Sequence, residues 1–383
     1  MERIKLFFAG DFVSKSSTKI ITVSSELRNM IQSCDLKVVN FEVPLKAKSQ
    51  LPKQKRERFW QHDDAPVFLK ELGFGLFSTA NNHAFDQDED GWQHTIDVFS
   101  KLGIIHFGSG GYDEAYKMGF CEVNGIKIGF MALSFAAYKG VFCDTTNHDG
   151  LGCAYINDLR VNHDIIAAKK EVDYLFILPH DGIEYIDIPM PETIARYRDF
   201  IDYGADGVIG THPHCPQGWE EYRGKPIFYS LGNFLFNSVD GYNNRTTRPH
   251  WYEGLCVVMT IADGKLDWEV VNTRNVDNVG IEIDHDETRN KHNETICQYL
   301  TNKEKYNSCL KKICNDMGMK EMTIIDKTIH PQSLKECTKL LLTCWKDKIR
   351  GKNKTNDYSL LRLLTHDARR NLLMWTMKLN TRY

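Results

Sequence analysis

The sequence predicts an α/β fold whose strands are covered on both faces by helices. Three observations predict it. Apolar, β-branched or aromatic runs of about five to seven residues recur through the first two-thirds of the 383 residues. Helix-like stretches fall between those runs. The runs are nearly continuous in apolar character, as in strands buried on both faces.

Taken in order, the strand candidates are IKLFFAG (4–10), LKVVNFE (36–42), FGLFSTA (74–80), KIGFMALS (127–134), YLFILP (174–179), DGVIG (206–210) and PIFYSLG (226–232). Helical patterns occupy 17–33, 88–102, 158–171 and 191–203 between them. Residues 254–274 differ: they read as two strands joined at ADGK, where Asp-Gly signals a hairpin. After about residue 283 strand signals stop and charge rises, with helical segments expected at 287–315, 332–350 and 357–379 and a loop, GKNKTND, at 351–357. The expected organisation is an α/β domain over 1–283 and a helical region over 284–383.

Composition bounds the function. A hydrophobic fraction of 42% supports a large core, and a net charge of −3 does not suit a general polyanion binder. No nucleic-acid motif is present. The start, MERIKLFFAGD, lacks the apolar stretch of a secretory leader, and no run approaches the ~18–20 apolar residues of a membrane span. Eleven cysteines without a CxxC pair suit reduced thiols. These features lead to the expectation of a cytoplasmic protein, peripheral at most to the inner membrane face. The basic stretch from Lys346, KDKIRGKNK, and the later ARR read as a solvated amphipathic face, with docking to an anionic surface or a capsule-synthesis protein as the alternative. His62-Asp63-Asp64 and His163-Asp164 read as helix starts or solvated faces, and Asp286 as a helix cap.

Metal-ligand chemistry falls at the C-terminal end of one apolar run after another. Asp11 ends the first, Glu42 the second, and Asn81-Asn82-His83 the third; His180 ends the YLFILP run, and His212 and His214 follow DGVIG. Open α/β sheets bind ligands beyond the carboxyl ends of their strands. Each residue has an ordinary alternative: Asp11 could cap a helix, Glu42 could be a buried ion-pair partner, Asn82 could form a turn and His180 could be a core histidine. Five strands agreeing argue for a shared site. Carboxylates, an amide and imidazoles without thiolates suit Mn, Fe or Zn. Asp11, Glu42, Asn82, His180, His212 and His214 exceed what one tetrahedral ion needs. Two ions sharing a carboxylate would use all six, the histidines of THPH being divided between them.

GD at 10–11, NFE at 40–42, ANNH at 80–83 with Asp86 following, HDGIE at 180–184 and GTHPHCPQGWEEYRGKPIFYSLGNFLF at 210–236 form a set that resembles the bacterial CapA, or PGA-cap, family over roughly residues 1–275. The resemblance implies a calcineurin-like metallophosphoesterase fold, a four-layer sandwich of two packed sheets flanked by helices, with the helical C-terminal region appended. It also implies a role in capsule or poly-γ-glutamate synthesis. Asp11 matches the first-strand metal aspartate, Glu42 the bridging position, Asn82 and His83 the metal-binding and catalytic members of the NH pair, His180 the fourth-motif histidine, and His212 and His214 the final HxH. Glu184 and Asn233 match further motif positions and, with His83, make up the expected catalytic set. One departure stands out: Val13 occupies the place of the histidine in the usual D-x-H first motif.

The expectation is therefore a metal-dependent hydrolase acting on an anionic polymer precursor or a glycan- or peptide-linked substrate. Two alternatives remain open. One is a metal-independent acid–base or transferase enzyme using His83, Glu184 and Asp11. The other is a non-catalytic component that holds a polymer or a synthase.

Overall fold

The structure is a computed structural model that describes residues 3–51, 58–136, 140–143, 148–237, 248, 250–318 and 366–380. Its strands are β1 (Ile4–Ser14), β2 (Thr22–Val23), β3 (Leu36–Phe41), β4 (Leu76–Ser78), β5 (Ile105–Phe107), β6 (Ser109–Gly110), β7 (Gly119–Val123), β8 (Ile126–Ser134), β9 (Gly152–Cys153), β10 (Tyr174–His180), β11 (Gly207–Ile209), β12 (Trp219–Tyr222), β13 (Lys225–Phe228), β14 (Asn233–Asn237), β15 (Glu253–Ala262), β16 (Lys265–Val276) and β17 (Gly280–Ile283). The helices are α1 (Ser25–Gln32), α2 (Ala65–Glu71), α3 (Asp88–Leu102), α4 (Tyr112–Ala115), α5 (Arg160–Lys169), α6 (Pro191–Asp202), α7 (Glu287–Thr301), α8 (Lys303–Ile313) and α9 (Asp367–Asn380).

The strands form two main sheets. The first runs β2-β17-β16-β15-β1-β3-β4-β5, with β14 also paired to β1; the second runs β12-β13-β11-β10-β8-β7. Side chains alternate along β1. Leu6 and Phe8 therefore point between the sheets, where they meet Phe130, Phe176 and Phe228 of the second sheet. The Phe8 and Phe176 rings stand 5.4 Å apart, edge to face. Phe7 and Phe12 point the other way, into Leu27 and Ile31 of α1, Phe68 and Leu69 of α2 and Phe99 of α3. On the outer side of the second sheet, α5 packs on β10 and α6 on β11 and β13. Helix, sheet, sheet, helix is the four-layer α/β sandwich expected from the sequence. Each fully buried Phe or Leu in these layers contributes about 1.5–3 kcal/mol of burial free energy.

Two departures from the sequence reading matter. The helix expected over 17–33 starts only at Ser25, because Ser24 caps it, its Oγ accepting from Leu27 N at 3.3 Å; Thr18–Ile20 is a 3₁₀ turn and Thr22–Val23 a strand. The run 226–232 is not one strand. β13 ends at Phe228 in the second sheet, and the chain crosses through Gly232, at φ 66°, into β14 of the first.

That crossing fixes the geometry around Asp11. Up to Ala9, one edge of β1 pairs antiparallel with β15; from Asp11 the same strand pairs parallel with β14, Asp11 lying opposite Asn233. At the exchange point Gly10 comes so close to Gly232 that a Cβ on Gly10 would lie 2.0 Å from the Gly232 carbonyl oxygen. The Asp11 amide donates to that oxygen at 2.9 Å. Only glycine allows this approach.

The chain divides into two compact units, Met1–Thr301 and Asn302–Tyr383, so α7 belongs with the sandwich. Helix α7 starts after Asp286, whose carboxylate accepts from Thr288 N at 2.8 Å. In the second unit, α8 leads into a π-helical turn at Cys314–Gly318, and Thr376 of α9 donates to the Cys314 carbonyl oxygen at 3.3 Å. The helix expected at 332–350, the loop at 351–357 and the basic stretch from Lys346 lie outside the described residues. Among the described residues, the cysteines form no disulfide and no helix is long and apolar enough to cross a membrane.

Candidate metal centre

Every element that delivers a candidate side chain does so at the same edge of the sandwich. Asp11 sits at the partner exchange in β1, Glu42 directly follows β3, and Asn82 and His83 follow β4. His180 ends β10, His212 and His214 follow β11, and Asn233 opens β14. The first, second, third and last of these strands belong to one sheet and the other two to its partner. The site therefore bridges the two sheets.

The backbone is strained at three positions here. Val43, His212 and His214 have φ of 76°, 103° and 57°. Non-glycine residues rarely occupy this region, and holding them there costs of order 1–3 kcal/mol each. Such outliers persist where the surroundings demand a particular side-chain placement.

The side chains converge. Asn40 Nδ2 donates to Asp11 Oδ1 at 2.6 Å and lies 3.2 Å from His180 Nδ1, which also meets Thr211 Oγ1 at 3.0 Å. The other ring nitrogen of His180 lies 3.0 Å from Asn82 Oδ1 and 3.2 Å from His212 Nδ1. The His212 amide donates to Asp11 Oδ2 at 3.2 Å, and His214 Nδ1 is 3.5 Å from the same oxygen. Glu42 Oε1 completes the other side, 3.8 Å from His214 Nε2 and 3.9 Å from His83 Nε2. Ligand-type atoms of Asp11, Glu42 and His180 fall within 4.8 Å of one another, and all three side chains are buried.

The electrostatics fit a cation. Among the described residues, Asp11 meets Asn40, the His212 amide and imidazoles, with no Lys or Arg at ion-pair distance. Burial pushes its carboxyl up to about 7, against the hydrogen bonds from Asn40, the His212 amide and Thr211. Burial likewise holds His180 well below the usual imidazole value, helped by His212, His214 and His83. A neutral imidazole is the form that ligates. Asn82 Oδ1 and His212 Nδ1 both face His180 Nε2, which holds at most one proton, so a cation satisfies this trio better than hydrogen bonds can. Asn40 Oδ1 is also buried without a hydrogen-bond partner. The donor set therefore fits divalent ions.

Two residues sit beside the ligands in orienting positions. His83 Nδ1 lies 2.7 Å from Asp86 Oδ2, which aims Nε2 inward. Asn233 Oδ1 accepts from His214 Nδ1 at 2.9 Å while its amide nitrogen donates to the Trp251 carbonyl at 3.0 Å. That fixes the His214 tautomer with Nε2 towards Glu42. Glu184 is placed differently: it is a half-buried turn residue beyond β10. Val13 packs with Val43, Phe59, Phe236 and Trp251, an apolar wall in place of the missing imidazole.

Sequence reasoning passed over Asn40 and Thr211. Asn40 lies two residues before Glu42 and so on the same strand face, a signal that its apolar neighbours hid.

A model of the bacterial capsule synthesis protein family PGA_cap matches residues 5–238, more than half of the chain. The chain belongs to this family. Among its relatives, a PGA biosynthesis protein CapA from Bacillus subtilis is 32% identical over 241 residues, covering 60% of this chain and 62% of that protein. A capsule biosynthesis protein CapA from Bacillus anthracis is 26% identical over 256 residues, covering 62% and 60%. The chain thus spans about three-fifths of the length of these relatives. Solved structures with a distant likeness include a hypothetical protein from Thermus thermophilus (TM-score 0.45, 16% identity, 70% of this chain and 99% of that one). A phosphatase from Mycoplasma pneumoniae is similar at the same level (TM-score 0.43, 18% identity, 71% and 94%). The family match stops before the β15–β16 hairpin, which the sequence resemblance had included; the hairpin supplies apolar sheet residues and none of the ligand motifs.

Proposed function

We propose that this PGA_cap family member is a metal-dependent hydrolase of the phosphoesterase type, acting on an anionic intermediate of capsule or exopolymer biosynthesis. The observation that carries the reading is the convergence of two buried carboxylates, an amide oxygen and three imidazoles at the joint edge of two sheets. The names of the relatives supply the setting, PGA and capsule biosynthesis, which we extend to this chain.

Asp11, Glu42, Asn82, His180, His212 and His214 would hold the metal, two ions where all six serve. Bound divalent cations supply Lewis-acid charge and an acidified water for hydrolysis. The remaining steps belong to the chain. His83, with Nδ1 held by Asp86, carries a proton on Nε2 for the leaving oxygen. Asn233 keeps His214 in one tautomer, and Asn40 holds Asp11 and His180 in register. Glu184, in the turn beyond β10, would serve in proton exchange. The apolar packing of Val13 favours unequal ion sites, and it is the one observation that favours a second reading, acid–base catalysis with little metal.

The test is turnover of phosphomonoester, phosphodiester and γ-glutamyl substrates by the full chain with Mn²⁺, Fe²⁺ or Zn²⁺, and by His83→Ala. Metal-dependent turnover is expected, with a loss of ~10²–10⁴-fold in kcat for the variant and metal content unchanged. Turnover indifferent to chelator would favour the acid–base reading. Polymer binding without turnover, indifferent to His83→Ala, would leave only a holding role.

A further inference from the structure

A second constellation lies outside the centre just described. Asp187 is in the loop after β10, His250 in the turn before β15 and His292 on α7, and one ligand-type atom from each falls within 4.8 Å of the others. All three belong to the first compact unit. We propose that Asp187, His250 and His292 form a separate site for one borderline divalent cation such as Zn²⁺.

The arrangement around His250 carries the inference furthest. Its Nδ1 lies 2.8 Å from Glu253 Oε2. A carboxylate on one ring nitrogen fixes the tautomer and leaves the other as a ligand, the usual arrangement behind metal-bound histidines. Glu253 is itself steadied by Arg289, whose Nε stands 3.6 Å from Oε1. His292 Nε2 lies 3.3 Å from Asp187 Oδ2, yet this buried nitrogen makes no hydrogen bond of acceptable geometry. The two atoms stand at ion-pair distance, a separation that two ligands of one ion can also have.

Helix α7 holds His292 firmly. Ile296 is buried, Asn293 donates to Asn272 Oδ1 at 2.6 Å, and Cys297 accepts from the Trp219 amide at 3.3 Å. The His250 and His292 rings stack 4.4 Å apart and within 9° of parallel. The His292 and Asp187 atoms are already as close as two ligands of one zinc ion, so binding needs chiefly a tilt of the stacked rings that brings His250 to the same ion. Two imidazoles and a carboxylate suit Zn²⁺ with water in the fourth place.

The site would also act on its neighbour. Asp187 follows Tyr185 by two residues, and His250 directly precedes Trp251. Tyr185 and Trp251 lie 6.0 Å apart, and Trp251 stands 5.3 Å from His214. A cation at the second site clamps both segments of that aromatic wall to α7.

The experiment titrates the full chain with Co²⁺ and Zn²⁺, reading visible absorption and bound metal per chain. Three variants are compared: His180→Ala/His212→Ala, His250→Ala/His292→Ala and Glu253→Gln. The first variant should keep one Co²⁺ with a four- or five-coordinate spectrum, which separates this site from failure of the main centre. The second should hold one equivalent less than the unaltered chain, and the third should bind the cation about 10–100-fold more weakly at this site alone. Metal content unaltered in His250→Ala/His292→Ala would overturn the proposal. So would a natively folded His180→Ala/His212→Ala chain that takes up no cation, since the cluster would then be only a set of ion pairs joining α7 to the loops.

Discussion

The Nδ1 of His83 is held 2.7 Å from Asp86, and the ring packs edge-on against Phe59 with centroids 4.8 Å apart. Both contacts restrict the imidazole without touching its inward nitrogen. If His83 transfers a proton, Asp86 matters through it, by keeping the ring in one tautomer. Asp86→Asn should therefore lower kcat by at least ~10-fold with KM and metal content unchanged. A variant that loses metal or unfolds instead would show Asp86 to be structural. The same scale shows why part of the site was hidden in the sequence. Asp11, Glu42 and the histidines are polar residues that break apolar runs, so they are visible where they stand. Asn40 lies inside such a run and Thr211 beside a histidine pair, and their roles come from hydrogen bonds that only the assembled sheets create.

At the scale of elements, the centre depends on β1 exchanging β15 for β14 at Gly10. Gly10→Ala places a methyl group 2.0 Å from the Gly232 oxygen, so one strand has to move. The expected cost is about 1–3 kcal/mol in urea unfolding, as for an overpacked core, together with lower metal content because Asp11 moves with the strand. Unaltered stability and metal content would show that the crossing is looser than described. The strands themselves were legible, since apolar runs at 4–10, 36–42 and 174–179 became β1, β3 and β10. The partition into two sheets was not. Strands of both sheets bury both faces and look alike in sequence, and PIFYSLGNFLF leaves one sheet for the other at a single glycine. Local capping, too, outweighed pattern: Ser24 set the start of α1 well inside the stretch read as helical.

At the scale of the whole molecule, both constellations belong to the first compact unit. The family match covers residues 5–238 and holds every candidate ligand of the main centre. The second constellation takes one residue from inside that span and two from beyond it, His250 and His292, so family motifs gave no signal for it. Its members come from two irregular segments and a helix, and no periodicity links such positions. The main centre was readable because five strand ends repeat one logic, whereas the second became visible only when α7 was seen against the loops.

The proposed function stands on metal binding at the edge shared by the two sheets. Anomalous X-ray scattering from crystals of the full chain grown with Mn²⁺ or Zn²⁺ measures this most directly, because it locates each ion. At least one strong peak is expected among Asp11, Glu42, Asn82, His180, His212 and His214, absent in His180→Ala/His212→Ala crystals. Well-ordered crystals of the unaltered chain with no anomalous peak at that edge, in either metal, would contradict it.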